Sequence, residues 1–461
     1  MQSLWGDAHR AALWRRIWLA LMETERELGL AIPETAVREL EQHLDDADLG
    51  AVAQYERRFR HDVMAHIHAL GDQAPAARPF LHLGATSAFV TDNADQIVIR
   101  DSLQLILGRL VALLRALGSF AARRASLPCL AYTHFQPAQL TTVGKRAVMW
   151  AQDFSLDVEE VCHRLETLRL LGCKGTTGTQ ASFLELFEGD HARVRELDRR
   201  VANRLGFERT YPVSGQTYPR KADSTVVDCL SGIAQSAAKL AGDLRLLQHE
   251  GELLEPFESE QIGSSAMAYK RNPMRSERIG GLARFLIALQ QNPAQTAAGQ
   301  WLERTLDDSA NRRLVLPEAF LAADAILILA TNIVTGLEVR EAVIARNVAA
   351  QMPFMATERW LMLGVTAGGD RQELHEAIRK QSLAAAEAMS QGRPNELLAR
   401  LAEHPGFAAV GPERLAAELD PARYTGRAAA QVEEFLRDHL EPLVSRASRL
   451  AAPAPLGEVH V

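Results

Sequence analysis

Apolar residues recur every three or four positions along unusually long stretches of this chain, most clearly over residues 92–125, 144–171, 222–254, 276–291 and 307–337. In the first of these, Ile99, Leu103, Ile106, Leu110, Leu113 and Leu117 fall on one side of a helix. Such a stripe must be covered by other helices. Several of the segments exceed the usual globular helix of about 10 to 14 residues, so they predict an elongated central bundle. Helices too long for one subunit to bury also predict association with further copies of the chain. Shorter periodic segments flank the bundle. Residues 1–85, punctuated at Gly29, Pro33 and a turn-rich stretch at 71–79, are read as an N-terminal helical domain, and residues 86–337 as the central helical-bundle domain. Residues 338–461, broken by Pro353, Gly368-Gly369, Pro394, Pro405 and Pro421, are read as a C-terminal helical domain whose tail, 451–461, frays. The expected fold class is all-α.

Composition narrows this picture. With 47% hydrophobic and 24% charged residues over 461 positions, disordered and collagen-like chains are excluded. Aromatics are 6%, and short β-branched runs bounded by turns are scarce, which again favours helices. Lys plus Arg number 51 against 58 Asp plus Glu, a net charge of −7, which offers no global attraction to nucleic acid or to an anionic membrane. Any phosphate must therefore be met by a local basic pocket. The most membrane-like run, 319–337, is interrupted by Asp324 and Asn332 and is expected to be a helix buried in the bundle. Cys129, Cys162, Cys173 and Cys229 form no CxxC pair and no metal-finger spacing, and residues 1–6 show no secretory pattern, so a reducing cytoplasm is the expected compartment.

Cofactor motifs are absent. His61, His66 and His68 are read as sharing one helix, but none of the pairs is i,i+4, and His61 to His68 spans about 10.5 Å of helix rise. With no HExxH, no metal site is expected; with no GxGxxG after a strand and no GxxxxGK[ST], no Rossmann or P-loop nucleotide site is expected either.

Three polar segments that do not read as helix could carry chemistry. His82-Leu83-Gly84-Ala85-Thr86-Ser87 places hydroxyls at the start of a long helix, suited to a carboxylate or, more plainly, to an N-cap. Thr133-His134-Phe135-Gln136-Pro137-Ala138-Gln139 holds a histidine in a Pro-bounded loop, where it could exchange a proton or serve only structure. Gly263-Ser264-Ser265-Ala266-Met267-Ala268-Tyr269-Lys270-Arg271-Asn272-Pro273 sets a cation and an amide two positions apart, suited to a single carboxylate.

Together these segments resemble the three signature regions of the fumarase/aspartase superfamily, the last with high specificity. The segments HLGATSAFVTDNAD, THFQPAQLTTVGKR, KGTTGTQASFLELFEGD, GQTYPRK and QWLERTLDDSANRR resemble its branch that splits N-succinyl purine nucleotides, from about residue 14 to 440. The resemblance implies a three-domain all-α subunit in a homotetramer with shared active sites and a small-molecule substrate, with no cofactor, nucleic acid or membrane partner. It implies β-elimination of fumarate, taking adenylosuccinate to AMP and the succinylated aminoimidazole carboxamide ribotide to its free carboxamide. By motif position Ser264 resembles the base, His134 the acid, and Glu277 the carboxylate that orients and charges it. Lys270, Asn272, Thr86, Ser87 and Thr133 match positions that hold succinyl carboxylates. His61, grouped with the catalytic set, Asp62 and His82 match residues lining the same site. Gln216 matches a substrate-contacting amide, and Arg304, Ser309 and Arg313 match the phosphate end.

Two departures accompany the match. Ala268 stands where the family commonly has Pro, and residues 1–6 contain no counterpart of the family's Arg-Tyr pair ahead of the first helix. The phosphate end is accordingly expected to lack one charge-assisted contact. These departures leave open a second reading, release of fumarate from another N-succinyl compound such as a nucleoside-like precursor. A third, a catalytically retired scaffold, is opposed by the joint retention of Ser264, His134, Glu277, Lys270 and Asn272.

Overall fold

All five long helices form, with ends within a few residues of the periodic segments: Ser87–Arg123, Val143–Thr167, Lys221–His249, Met274–Leu289 and Asp307–Thr335. The computed structural model describes residues 1–258, 260–262, 265–267 and 269–454. Ser87–Arg123, at 37 residues, is about 55 Å long, and every member of its leucine and isoleucine stripe is fully buried. Val143–Thr167 lies close against its far end, because Gly144 has no Cβ to strike the Ala121 carbonyl, which would lie 2.5 Å away. Thr142 starts that helix, its hydroxyl accepting from the Lys145 amide at 3.1 Å.

Three main hydrophobic clusters result. The largest joins the long helices and also takes in Ile344, Val348 and Met352, then Val432, Leu440, Val444 and Ala447 from near the end of the chain. The second packs the Asp7–Glu27, Glu34–Gln42 and Asp62–Gln73 helices on the start of Ser87–Arg123, together with Phe183, Phe187, Val194, Leu197 and Val201 from much later in the sequence. The third, around Trp360, Leu374, Leu397 and Phe407, is local to the C-terminal helices. At the start of the tail expected to fray, the Ala452 amide donates to the Gln104 carbonyl at 3.0 Å; residues 455–461 of that tail lie outside the described residues.

Among the described residues two helices, Ser87–Arg123 and Asp307–Thr335, are long and apolar enough to cross a membrane, yet 61% and 67% of their most apolar windows are buried inside the bundle. Among the described residues strands are confined to two short antiparallel pairs, one of them Pro128–Thr133 with Gln136–Thr142. The segment expected to be a loop around His134 is this hairpin. Alternating cross-strand pairs such as Leu130 with Leu140 set its register, a signal too short to distinguish from loop in the sequence. All four cysteines are buried and free.

Candidate active site

A cleft of about 720 Å³ opens where the starts of Ser87–Arg123 and Asp307–Thr335 meet the N-terminal helices. Seven of the expected site residues line it: His61, Asp62, Ser87, Gln216, Arg304, Ser309 and Arg313. His61 is not inside a helix with His66 and His68, as its spacing suggested. It is the N-cap of Asp62–Gln73, its Nδ1 accepting from the Met64 amide at 3.3 Å, because an extended backbone there turns the ring toward the cleft. Its Nε2 lies 3.2 Å from the Ser87 hydroxyl. Asp62 meets Arg313 at 2.9 Å, and the Gln216 amide donates to the Thr176 carbonyl at 3.0 Å.

The floor of the cleft is a buried charge network that sequence reasoning missed. Arg220 forms two bonds to Asp92 at 3.0 and 3.1 Å and a third to Asp308 at 2.5 Å. Asp308 also accepts from Arg304 at 3.2 Å. Arg312 meets Asp223 at 2.6 Å, Asp95 at 2.8 Å and the Tyr218 hydroxyl, which itself donates to Asp223 at 2.6 Å. Burial works against the Arg312 charge, but Asp223, Tyr218 and Asp95 outweigh it, so its pKa is raised further. The available signal was acids and arginines at positions that would otherwise be core, such as Asp92 among the apolar residues of a long helix.

Behind the cleft, His82 and Thr86 do not line it. His82 accepts from Trp18 Nε1 at 3.0 Å with φ at +68°, and burial, aided by His61, pushes its pKa down to about 4, so it is a neutral acceptor. Thr86 occupies the N-cap position of Ser87–Arg123 without making a capping bond, and its buried hydroxyl has no partner among the described residues. The plain N-cap reading of this segment is thereby incomplete.

The remaining candidates stand elsewhere. His134 and Phe135 form the hairpin turn between Thr133 and Gln136, both at positive φ (+53° and +58°), in solvent. Such a turn suits Asn-Gly; placing His-Phe there stores backbone strain of order 1–3 kcal/mol per residue. Lys270 is exposed, and Asn272 lies just ahead of Met274–Leu289. Glu277, in that helix's first turn, borders a separate depression with Arg245, 4.0 Å away. Among the described residues no hydrogen bond or ion pair joins His134 to Glu277, or either to the cleft. Ser264 and Ala268 lie outside the described residues. The described residues contain no cluster of His, Cys, Asp or Glu able to hold a metal.

Residues 31–286 match the family model described as Lyase. The fold is similar to a 3-carboxy-cis,cis-muconate lactonizing enzyme from Pseudomonas putida (TM-score 0.81, 25% identity, 98% of this chain and 97% of that one). It is also similar to a fumarate lyase from a Mesorhizobium species (TM-score 0.79, 24% identity, 95% and 97%). This is the all-α fold of the fumarase/aspartase superfamily. Residues 353–435 match the model described as Adenylosuccinate lyase C-terminus. Adenylosuccinate lyases of Saccharomyces cerevisiae and Schistosoma mansoni are 48% and 46% identical, each over 95% of this chain and 91% and 92% of their own. The chain belongs to the adenylosuccinate lyase family.

Proposed function

We propose that this protein eliminates fumarate from N-succinyl purine nucleotides, converting adenylosuccinate to AMP and the succinylated aminoimidazole carboxamide ribotide to its free carboxamide. The observation that carries the reading is family membership along 95% of the chain, with the expected nucleotide-contacting side chains gathered in one cleft. In the reaction the Ser264 oxygen takes a proton from the succinyl carbon beside a carboxylate. The electron pair becomes the new C=C bond, the C–N bond breaks, and His134 protonates the departing nitrogen. Ser87, Thr133, Lys270 and Asn272 hold the succinyl carboxylates, while Arg304, Ser309 and Arg313 receive the phosphate, which displaces Asp62 from Arg313. Glu277 keeps His134 charged. The test is fumarate release from a panel of succinylated purine nucleotides, nucleosides and amino acids. Preference for a phosphate-free substrate over adenylosuccinate would replace this reading.

The active unit is a homotetramer with sites completed by neighbouring subunits. Support comes from the separation of His134 and Glu277 from the cleft in one chain. Exposed Met149, Leu156, Leu246, Phe285 and Leu314 on the long helices add to it, being apolar groups suited to a covered face. Mixing His134→Ala with Ser264→Ala subunits after dissociation should restore about a quarter of wild-type activity, since a random site draws each residue intact half the time. No recovery despite demonstrated exchange would refute sharing.

A further inference from the structure

Glu255 is 6% exposed, and among the described residues its carboxylate oxygens accept from backbone amides. Its two oxygens accept from amides twenty positions or more along the chain: Oε2 from Arg275 at 3.0 Å and Oε1 from Ser276 at 2.6 Å. These are the second and third residues of Met274–Leu289, whose own N-cap, Pro273, supplies no capping side chain. A helix start leaves its first amides without intrahelical partners and carries partial positive charge, so a carboxylate there makes charge-assisted bonds. Such caps normally come from the adjacent residue; this one arrives from before the signature segment.

Neighbouring bonds draw the same two strands of chain together. Gln248 accepts from the Glu255 amide at 3.1 Å and donates to the Arg271 carbonyl at 3.0 Å. Arg271 donates to the Glu255 carbonyl at 3.2 Å, and Arg275 to the Pro256 carbonyl at 2.9 Å. Glu277 sits one residue beyond the capped amides, its own amide donating to the Pro273 carbonyl at 2.9 Å. The direction in which Glu277 leaves the helix is therefore set by how the first turn is held, and the first turn is held by Glu255.

We propose that Glu255 is a positioning residue that acts through Glu277: by capping the Met274–Leu289 helix from across the signature segment, it fixes the first turn and with it the carboxylate that charges the acid. The proposal rests on the functional reading above. Glu255→Gln keeps the volume but turns one acceptor into an NH₂ group facing an amide N–H. It should lower kcat by about 10- to 100-fold, the scale of loss for a small misplacement of a catalytic group, with a smaller change in KM because the cleft is untouched. Amide exchange at Arg275 and Ser276 should quicken while the rest of the bundle is unchanged. Glu255→Gln with Glu277→Gln should be no slower than Glu277→Gln alone within about twofold, as expected of residues acting through one another. If Glu255→Gln does not assemble, Glu255→Asp, which retains the charge but is shorter, is judged by the same measurements. Faster amide exchange with kcat within about threefold of wild type would make Glu255 merely structural and overturn the proposal, as would multiplicative losses in the double variant. A wild-type protein that releases no fumarate from adenylosuccinate would overturn the functional reading, whereas an active wild type with an unaffected variant overturns this proposal alone.

Discussion

On the floor of the cleft Arg220 and Arg312 are buried and each is held by two carboxylates; at the hairpin tip His134 stands in solvent with no hydrogen bond or ion pair among the described residues. Burying a charge costs several kcal/mol unless it is paired and hydrogen-bonded, so the cleft's charges must be fully arranged when the chain folds. The tip carries no such obligation. Its cost is backbone strain, and its imidazole is presented to solvent. On the proposal of shared sites, one half of the site is built by folding and the other by assembly, and mutations should separate the two.

The largest effect is expected at the tip. His134→Ala should slow fumarate release by about 10² to 10⁴-fold, the usual worth of a positioned general acid, with an unchanged melting temperature for the single chain because the side chain is exposed. Turnover within threefold of wild type would remove His134 from the mechanism. Arg312→Ala should do the reverse, destabilising the protein by about 3–5 kcal/mol because Asp223 and Asp95 lose their buried partner. Chemical denaturation measures this, and a loss under about 1 kcal/mol would show that the floor is less dependent on pairing than its burial implies.

Glu25 tests the same principle away from both regions. It is fully buried, neither carboxylate oxygen has a partner among the described residues, and burial raises its pKa from 4.5 to about 9. The folded state therefore holds a proton that the unfolded state releases above pH 4.5, so stability is greatest below that pH and falls as pH rises toward 9. At pH 7 the penalty is on the order of 3 kcal/mol. Glu25→Gln should relieve it and flatten the dependence between pH 5 and 9. A variant as pH-sensitive as the wild type would refute the assignment.

Arg313→Ala is expected to be the mildest. Adjacent to buried Arg312, Arg313 is 59% exposed, and its pair with Asp62 is a surface pair worth little to stability. Stability should change by less than about 1 kcal/mol, while KM for adenylosuccinate rises roughly tenfold to a hundredfold through loss of a charge-assisted phosphate bond. An unaltered KM would take Arg313 out of the phosphate end.

The sequence reached the bundle because helix periodicity is local: Ile99 to Leu117 repeat every three or four residues, and no other part of the chain is needed to read them. The signature segments were legible for a related reason, since unusual residue types such as Lys270 and Asn272 crowd a stretch too polar for core. The hairpin escaped because two short strands look like loop until they pair. The floor of the cleft escaped because a buried arginine and an exposed one are spelled alike; nothing in Arg312-Arg313 tells which turns inward.

Sequence by itself therefore determined the helices, their apolar faces, the family and the chemical types available to the site. Tertiary structure alone decided that Phe183 to Val201 return to the N-terminal cluster, that Arg220 and Arg312 find Asp92, Asp308, Asp223 and Asp95, and that Glu255 caps a helix beyond the signature segment. The reason is range. Periodicity and composition act within a few turns of chain, whereas a buried charge or an orphaned amide is satisfied by whatever partner the fold brings near, at any distance along the sequence.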